Sequence, residues 1–210
     1  MCECAPTPTP TPVFAFPSFY RILRNGMQKR LLLNSTHLDI TIRRLCWQLI
    51  ENHDDFSNSA IIGLQPRGIL LARRIHSSLK EITSLSSILY GELDITFYRD
   101  DFRRRGIEPP SKTSMDFSLE NKKVILVDDV LFTGRTVRAG MDAMLDFGRP
   151  SKVELMVLVN RRYSRHVPIE ADYIGIHVDT ISSEKVRVKW KEENEEDGIW
   201  LFTDENNKQE

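Results

Sequence analysis

The stretch VILVDDVLFTGRT, residues 124–136, places two adjacent carboxylates directly after four aliphatic residues. A continuous apolar run such as 124–127 is the pattern of a parallel strand that is buried on both faces. Asp128 and Asp129 follow this run, where their like charges repel each other and where desolvation penalises either charged form. The pair therefore requires a ligand, a metal ion or a structural partner.

Strand-like and helix-like segments alternate on both sides of this stretch, from Met27 onward. Apolar residues at helical spacing predict helices over 39–53, 68–79 and 136–148. Short aliphatic runs predict strands over 60–64, 89–98, 124–127, 152–159 and 171–178. Asp39 is the predicted N-cap of the first helix, and Gly148 is the predicted C-cap of the third. This order indicates an α/β fold with an open, mostly parallel sheet flanked by helices.

Three segments differ from this alternating pattern. Residues 1–26 are rich in proline and threonine, and because repeated prolines are incompatible with helix and sheet we predict a disordered N-terminal extension. Residues 100–116 are polar and have no apolar periodicity, which predicts a long flexible lid loop. Residues 191–210 form an acidic C-terminal segment. The remaining residues, 27–190, form the predicted folded domain.

The composition limits the class of protein. With 210 residues, 40% of them hydrophobic, the chain is long enough for one well-packed domain. A formal net charge of -1 gives no general attraction to nucleic acid. No apolar run approaches the roughly 18–20 residues of a membrane helix, so no membrane contact is expected. Three cysteines are too few for a disulfide framework and predict a reducing, cytoplasmic location.

The residues after the aspartates are suited to a phosphate. Residues 133–136, Thr-Gly-Arg-Thr, offer peptide N–H groups, two hydroxyls and a guanidinium at the start of a predicted helix. Ligands of open parallel sheets bind outside the carboxyl ends of the strands, where the aspartates also lie. Carboxylates there can accept hydrogen bonds from the hydroxyls of a sugar or bind a divalent cation. The stretch therefore favours a sugar phosphate as the ligand.

Three other interpretations explain less of the pattern. In receiver folds the acidic pair belongs to the first strand, whereas here it follows a later one. A P-loop requires G-x-x-x-x-G-K-[ST], but the upstream glycine is missing and Arg135 stands in place of the lysine. A purely structural aspartate pair that caps the turn would leave the Thr-Gly-Arg-Thr sequence unexplained.

The stretch 124–136 resembles the signature with which type I phosphoribosyltransferases bind 5-phosphoribosyl 1-pyrophosphate (PRPP). The likeness extends to PRGILLARR (66–74), GELDITFYRDD (91–101) and the whole of 124–150. These segments are similar to the PyrR branch, pyrimidine-operon attenuation regulators that are also uracil phosphoribosyltransferases. The resemblance implies transfer of phosphoribose from PRPP to uracil, which gives UMP and pyrophosphate. It also implies Mg²⁺ carried on the pyrophosphate, with no firm protein ligand.

The resemblance implies roles for individual residues. The expected catalytic residues are Asp128, Asp129 and Arg67, of which the two aspartates would hold the ribose hydroxyls. The expected PRPP-binding residues are Asp128, Asp129, Val130, Leu131, Phe132, Thr133, Gly134, Arg135 and Thr136. The expected pyrophosphate-binding residues are Pro66, Arg67, Gly68 and Arg99. Arg161 and Val186 are expected to bind the base.

Two departures from the family pattern leave the base and the activity open. Pro66 stands where the family usually has threonine, and residues 160–165 replace the usual Asp-Arg-Gly-His-Arg with a segment one residue longer. The alternatives are a phosphoribosyltransferase for another base, or a regulator that senses UMP or PRPP with little catalysis. The resemblance further implies a homo-oligomer and an mRNA leader as partner. The candidate RNA contacts are Arg43, Arg44, Arg73 and Arg74.

Overall fold

The computed structural model describes residues 28–100, 112–181, 183–193 and 196–203. The predicted extension over 1–26 and most of the predicted lid, residues 101–111, lie outside these ranges. Within the described ranges, no helix is long and apolar enough to cross a membrane.

The described residues form eight strands and three α-helices. In chain order they are β1 (Gln28–Asn34), α1 (Ser35–His53), β2 (Ser59–Leu64), α2 (Gly68–Thr83), β3 (Leu89–Leu93), β4 (Lys123–Leu131), α3 (Arg135–Met144), β5 (Lys152–Arg162), β6 (Tyr173–Asp179), β7 (Glu184–Lys189) and β8 (Gly198–Thr203).

Five parallel strands form the main sheet, in the order β3-β2-β4-β5-β6. Helices α1 and α2 pack on one face and α3 packs on the other. Alternate residues of β4 enter the two cores: Ile125 and Val127 face α1 and α2, whereas Val124 and Leu126 face α3. A strand buried on both faces has no polar side to present, which explains its continuous apolar sequence. The predicted α/β fold with an open parallel sheet is confirmed.

A second sheet was not predicted. It has three antiparallel strands in the order β1-β8-β7 and packs its apolar residues against the core on the α1 side of the main sheet. Trp190, Ile199 and Leu201 are all at least 94% buried there. The domain boundary predicted at residue 190 cuts through this sheet, because the middle strand β8 lies within the segment interpreted as an acidic tail.

The strands that carry the predicted site are longer than predicted. β4 continues beyond residue 127 through both aspartates to Leu131, because Asp128 and Val130 pair with Val157 and Val159 of β5. β5 likewise continues to Arg162 instead of ending at residue 159. The aspartates therefore lie within the carboxyl-terminal part of β4 that pairs with β5, and not in the loop after the strand.

The predicted strand over 89–98 is wrong in its second half. β3 ends at Leu93, and residues Thr96–Tyr98 form a 3-10 turn. The Asp94 carboxylate accepts hydrogen bonds from the peptide N–H and the hydroxyl of Thr96, at 2.9 Å and 2.6 Å. Such local side-chain bonds compete with the ladder of a strand.

The helix ends also differ from the prediction. Asp39 is not an N-cap, since α1 begins four residues earlier and Asn34 caps it by accepting from the His37 N–H at 2.9 Å. Helix α2 runs past residue 79 to Thr83. Helix α3 ends at Met144 and is followed by a 3-10 turn, Leu145–Phe147, whose C-cap is Gly148 with φ 127°.

Candidate active site

A cavity of about 750 Å³ opens at the carboxyl end of the main sheet. Two of its walls are the ends of β4 and β5, and a third is β7 of the second sheet. The predicted site residues that line it are Pro66, Arg67, Arg99, all of 128–136, Arg161 and Val186. The fold thus brings residues from five separate parts of the chain to one place.

The aspartate pair is buried and incompletely hydrogen-bonded. Asp128 and Asp129 are each 5% exposed. One Asp128 carboxylate oxygen accepts the Asp129 N–H at 2.9 Å. Asp129 Oδ2 accepts no hydrogen bond from the described residues, and the nearest cation, Arg67 Nη1, lies 4.0 Å away. An unpaired buried acceptor is costly, so this oxygen is suited to a ligand that donates a hydrogen bond.

The same burial changes the ionisation of both carboxyls. Burial, followed by the nearby charge of Asp129, raises the pKa of Asp128 well above its usual value. Burial also raises the pKa of Asp129, while the Arg67 guanidinium opposes that rise. Perturbation by desolvation and a like charge in a cavity is typical of a functional site.

The turn after β4 presents peptide N–H groups to the cavity. The Thr133 carbonyl accepts from the N–H groups of His166 and Val167, at 3.0 Å and 3.1 Å. Gly134 has φ 87°, a conformation that favours glycine, and it caps α3 without a side-chain hydrogen bond. The first N–H groups of α3 have no intrahelical partner, and the one side-chain contact among them is the long 3.5 Å contact of the Arg135 N–H with the Thr133 hydroxyl, so they are suited to an anion.

Arg135 within this turn is held by an acidic residue. Its guanidinium lies 2.6 Å from Asp100 Oδ2, and the Arg138 guanidinium lies 3.5 Å from the same oxygen. All three side chains are about half exposed, so this pairing is worth little on its own. A phosphate in the turn would compete with Asp100 for Arg135.

The loop between β2 and α2 approaches the aspartates from the side. Pro66 follows a cis peptide bond, and the Arg67 side chain is 61% exposed at the N-terminus of α2. A Cβ atom at Gly68 would lie 2.3 Å from the Val127 carbonyl oxygen. Glycine at this position therefore lets the loop pack directly against β4, so Gly68 shapes the cavity from behind while Pro66 and Arg67 line it.

Arg161 is fixed at the opposite end of the cavity, which we call the base end. Its side chain is buried, and it donates to the Thr180 hydroxyl and to the Glu184 carbonyl, both at 2.9 Å. The guanidinium carbon lies 3.9 Å from the centroid of the Phe132 ring. Such a stacked pair combines a cation with an aromatic face.

Val186 presents its peptide groups to the base end. β7 is an edge strand that pairs only with β8. The Glu184 N–H donates to the Ile181 carbonyl and its C=O accepts from Arg161, so both groups point away from β8. Two residues further along an antiparallel strand, the peptide groups point the same way. Val186 lines the cavity, and by this alternation its N–H and C=O point away from β8.

Residues 32–193 match the sequence-family model described as the phosphoribosyl transferase domain. The chain belongs to the type I phosphoribosyltransferase family. It is PyrR-like: it is 42% identical over 179 residues to the bifunctional protein PyrR of Elusimicrobium minutum, a match that covers 85% of this chain and 99% of that protein. The bifunctional protein PyrR of Bacillus subtilis is 41% identical over 181 residues, with the same coverage of each chain.

Solved structures of other phosphoribosyltransferases share the fold. A hypoxanthine-guanine phosphoribosyltransferase from Bacillus anthracis has a TM-score of 0.61 and 15% identity, and the match covers 85% of this chain and 99% of that one. A purine phosphoribosyltransferase from Pyrococcus horikoshii has a TM-score of 0.51 and 21% identity, covering 70% of this chain and 86% of that one. At this identity the likeness concerns the fold alone.

The carboxylates that line the cavity of this phosphoribosyltransferase determine whether it can bind Mg²⁺. Among the described residues, no three His, Cys, Asp or Glu side chains gather into a metal site. The free Asp129 oxygen is nevertheless a hard, anionic acceptor of the kind that Mg²⁺ prefers. The site therefore fits a magnesium ion that arrives on a phosphate and takes few ligands from the protein.

The sequence did not reveal several residues of this phosphoribosyltransferase cavity. They are Gln65, Ile95, Thr96, Val137, His166, Lys185 and Arg187. Lys185 and Arg187 reach it because β7 belongs to the second sheet, which no local pattern predicted. A polar-apolar alternation over EKVRVK is the signal that could have found this strand.

The four arginines predicted as RNA contacts are mostly bound within the chain. Arg44 donates to the carbonyls of Ile174 and Gly175 in the edge strand β6, at 3.1 Å and 2.6 Å. Arg73 forms a bidentate pair with Glu92. The partners of Arg74 are Glu192 and Asp197. Arg43, Arg73 and Arg74 share a cleft between α1 and α2, which also contains three carboxylates.

Proposed function

We propose that this protein transfers the phosphoribosyl group of PRPP to uracil, forming UMP and pyrophosphate. The observation that carries the proposal is the unpaired, buried Asp129 Oδ2, directly before a turn whose N–H groups are open to a phosphate. A phosphate on one side of a ribose and hydroxyls on the other would satisfy both features at once. The family of the chain and its PyrR-like sequence support the same reaction.

Each part of PRPP has a matching group in the cavity. The 5′-phosphate binds the turn at 133–136 through peptide N–H groups, hydroxyls and the Arg135 guanidinium. The ribose hydroxyls donate to Asp128 and Asp129. The pyrophosphate meets Arg67 and Arg99, whose charges already act on the two aspartates. Mg²⁺, when bound to the pyrophosphate, would neutralise charge that develops on the leaving group.

The reaction needs positioning more than acid-base chemistry. The bond between ribose C1 and the pyrophosphate oxygen breaks, while a ring nitrogen of the base forms a new bond to C1 and loses its proton. Positive charge develops on the sugar in the transition state. Buried carboxylates beside the ribose stabilise that charge because the cavity excludes much of the solvent. Hydroxyl donors and cations that arrive with PRPP lower the pKa of both aspartates and favour the ionised form.

The base end supports a base with an amide-like edge. The N–H donor and C=O acceptor of Val186 match the adjacent C=O and N–H of uracil. Hypoxanthine carries the same pair of groups, and the solved structures with this fold include hypoxanthine enzymes. We propose uracil because the chain is PyrR-like, and separate assays with the two bases distinguish uracil from hypoxanthine.

The test is pyrophosphate release from PRPP and Mg²⁺ with uracil, hypoxanthine, guanine or orotate in separate reactions. We expect release with uracil alone. Release with another base would replace uracil by that base. No pyrophosphate release with any base, together with measurable binding of PRPP or UMP, would favour a nucleotide-sensing regulator. Absence of both turnover and binding would contradict the assignment of the cavity.

The resemblance also implies a homo-oligomer, an mRNA leader as a partner and a cytoplasmic location, which we retain as separate proposals. Light scattering on the purified protein tests the first, and localisation of a tagged chain tests the third. For RNA, Arg43 is the candidate in the cleft between α1 and α2 for which the described residues provide no hydrogen bond or ion pair. A fall in leader affinity in Arg43→Ala would support the RNA proposal, and unchanged affinity would exclude this face.

A further inference from the structure

Arg165 lies in the segment between β5 and β6 and binds the two strands that frame the cavity. All three nitrogens of its guanidinium donate hydrogen bonds. The acceptors are the carbonyls of Leu131 (3.2 Å), Phe132, Arg161 (2.9 Å) and Ile169 (3.2 Å), and the side-chain oxygen of Asn160. Leu131 ends β4, whereas Asn160 and Arg161 lie near the end of β5. One side chain therefore joins the phosphate turn to the base end.

These bonds determine which way the turn faces. The carbonyls of residues 131 and 132 point toward Arg165, and Ser164 Oγ also donates to the Phe132 carbonyl at 3.4 Å. In a trans peptide the N–H points opposite to the C=O. The N–H groups of residues 132 and 133 consequently point away from Arg165. By the same geometry, the N–H of Gly134 points away from the two N–H groups that bind the Thr133 carbonyl. Three successive N–H groups form a concave anion site.

The positive charge of Arg165 also favours binding of an anion to the turn. All of its hydrogen-bond acceptors are neutral, and no carboxylate of the described residues forms an ion pair with it. A cation bonded to a carbonyl polarises the whole peptide group and makes its N–H a stronger donor. The N–H groups of residues 132 and 133 thereby become better partners for an anion.

We propose that Arg165 is a positioning residue that orients the phosphate turn and fixes it relative to the base end. This proposal rests on the proposed function, because the ligand of the turn is the 5′-phosphate of PRPP. Arg165 acts through the peptide groups of the turn and does not touch the substrate. Arg165 belongs to the segment 160–165, whose sequence departs from the family pattern. The altered segment nevertheless links the two ends of the cavity through this side chain.

The neighbouring Arg162 provides a matched control. It is exposed, and its guanidinium pairs with Asp179 of β6 at 2.6 Å and 2.8 Å. Arg162→Met thus removes the same charge and the same number of atoms from the same segment without loosening the turn. Arg165→Lys keeps the charge of Arg165 but loses most of the hydrogen bonds, which separates orientation from electrostatics.

The first measurement is hydrogen exchange of the unliganded protein. In Arg165→Met we expect exchange of the Val167 and Arg138 N–H groups, which donate to the carbonyls of Thr133 and Gly134, to rise about tenfold because the turn opens locally, while exchange in β2 stays the same. Arg162→Met should leave both regions unchanged. Equal exchange of the Val167 and Arg138 N–H groups in Arg165→Met and wild type would overturn the proposal. This measurement needs no ligand, so it judges Arg165 even if the proposed function fails.

The second measurement is PRPP binding by calorimetry in the presence of Mg²⁺. We expect the Kd to rise roughly tenfold in Arg165→Met and to change less than about twofold in Arg162→Met. A folded Arg165→Met protein with wild-type affinity would overturn the proposal, and if that variant does not fold, Arg165→Lys decides by the same criterion. Wild-type protein that binds no PRPP would contradict the proposed function instead.

Discussion

The two ends of the main sheet carry polar clusters that differ in how completely they are hydrogen-bonded. At the amino end, buried His53 donates through Nε2 to Glu154 at 2.7 Å and contacts Ser59 Oγ through Nδ1 at 2.8 Å. Tyr173 donates to the same Glu154 oxygen at 3.0 Å, and Lys152 binds the other one. Every carboxylate oxygen of this cluster has a partner.

The carboxyl end is arranged differently. Asp128 and Asp129 are as buried as Glu154, yet among the described residues no donor satisfies Asp129 Oδ2, and the Arg67 guanidinium stays 4.0 Å from it. Ser59, His53 and Glu154 are hydrogen-bonded in the manner of a catalytic triad, but all three are buried, and neither the site cavity nor the cleft between α1 and α2 is lined by them. A satisfied network holds the fold together, whereas an unsatisfied one is stabilised by what binds to it.

The largest effect is expected at the amino end, for His53→Ala. The change leaves a cavity and removes two hydrogen bonds from a buried network, so the free energy of unfolding should fall by about 3 kcal/mol. Urea denaturation measures this loss. Glu51→Ala, on the exposed side of the same helix, is the control and should stay within about 0.5 kcal/mol of wild type. An equal loss of stability in both variants would remove the contrast between the two ends.

At the carboxyl end, Asp129→Asn should cut turnover by more than about tenfold through lost hydroxyl contacts. The same change should raise the free energy of unfolding, because it removes a buried charge from a like-charged pair. Initial rates and urea denaturation on one preparation measure both quantities. Unchanged turnover would end the assignment of Asp129 to the ribose. A loss of stability would show that the carboxylate serves the fold after all.

The two ends should respond to pH with opposite signs. The raised pKa of Asp128 makes the folded state hold its proton longer, so this group costs stability as pH rises above the usual aspartate value of about 3.9. Glu154 and His53 have lowered pKa values, so their contribution to stability is lost as pH falls through their ranges. In unfolding experiments from pH 4 to pH 8, the stability of Asp128→Asn relative to wild type should increase as pH rises. A constant difference between these proteins would refute the shift.

The smallest effect concerns Tyr163, which follows β5 at the carboxyl end. It is 86% exposed and has φ 63°, a left-handed conformation that costs a non-glycine residue about 1 kcal/mol. Tyr163→Gly should therefore stabilise the protein by about 0.5 kcal/mol, after the entropic cost of glycine. Thermal unfolding measures the gain, and Tyr163→Ala, which removes the ring but keeps the strain, should show none.

The parts of the site that were predictable are those that one short stretch of chain encodes. Residues 128–136 contain the aspartates, the turn and the helix start in sequence order, so local chemistry identifies them. Arg67 was identified by resemblance and lies 4.0 Å from Asp129 in the fold. The hydrophobic pattern likewise located the five strands of the parallel sheet along the chain. It predicted neither their order in the sheet nor where β4 and β5 end, because pairing with neighbouring strands decides both.

The base end was less predictable because it depends on pairing between distant segments. Lys185 and Arg187 line the cavity only after β7 has paired with β8, and β8 is hidden between acidic neighbours in the sequence. The hydrogen bonds of Arg165 likewise join residues about 34 positions apart, so no motif contains both partners. Tertiary pairing, and not local propensity, places these side chains.

The antiparallel pairing of β1 with β8 has a consequence for the order of folding. It joins Gln28 to Thr203, two residues that are 175 positions apart (203 minus 28). The entropic cost of closing so long a loop is met only after the intervening chain has become compact. On the ribosome, the phosphate turn can therefore assemble while the nascent chain still lacks β8. In a nascent chain that still lacks β8, the residues proposed to bind the ribose phosphate would be in place before β7, which carries the proposed base contacts, has its partner strand.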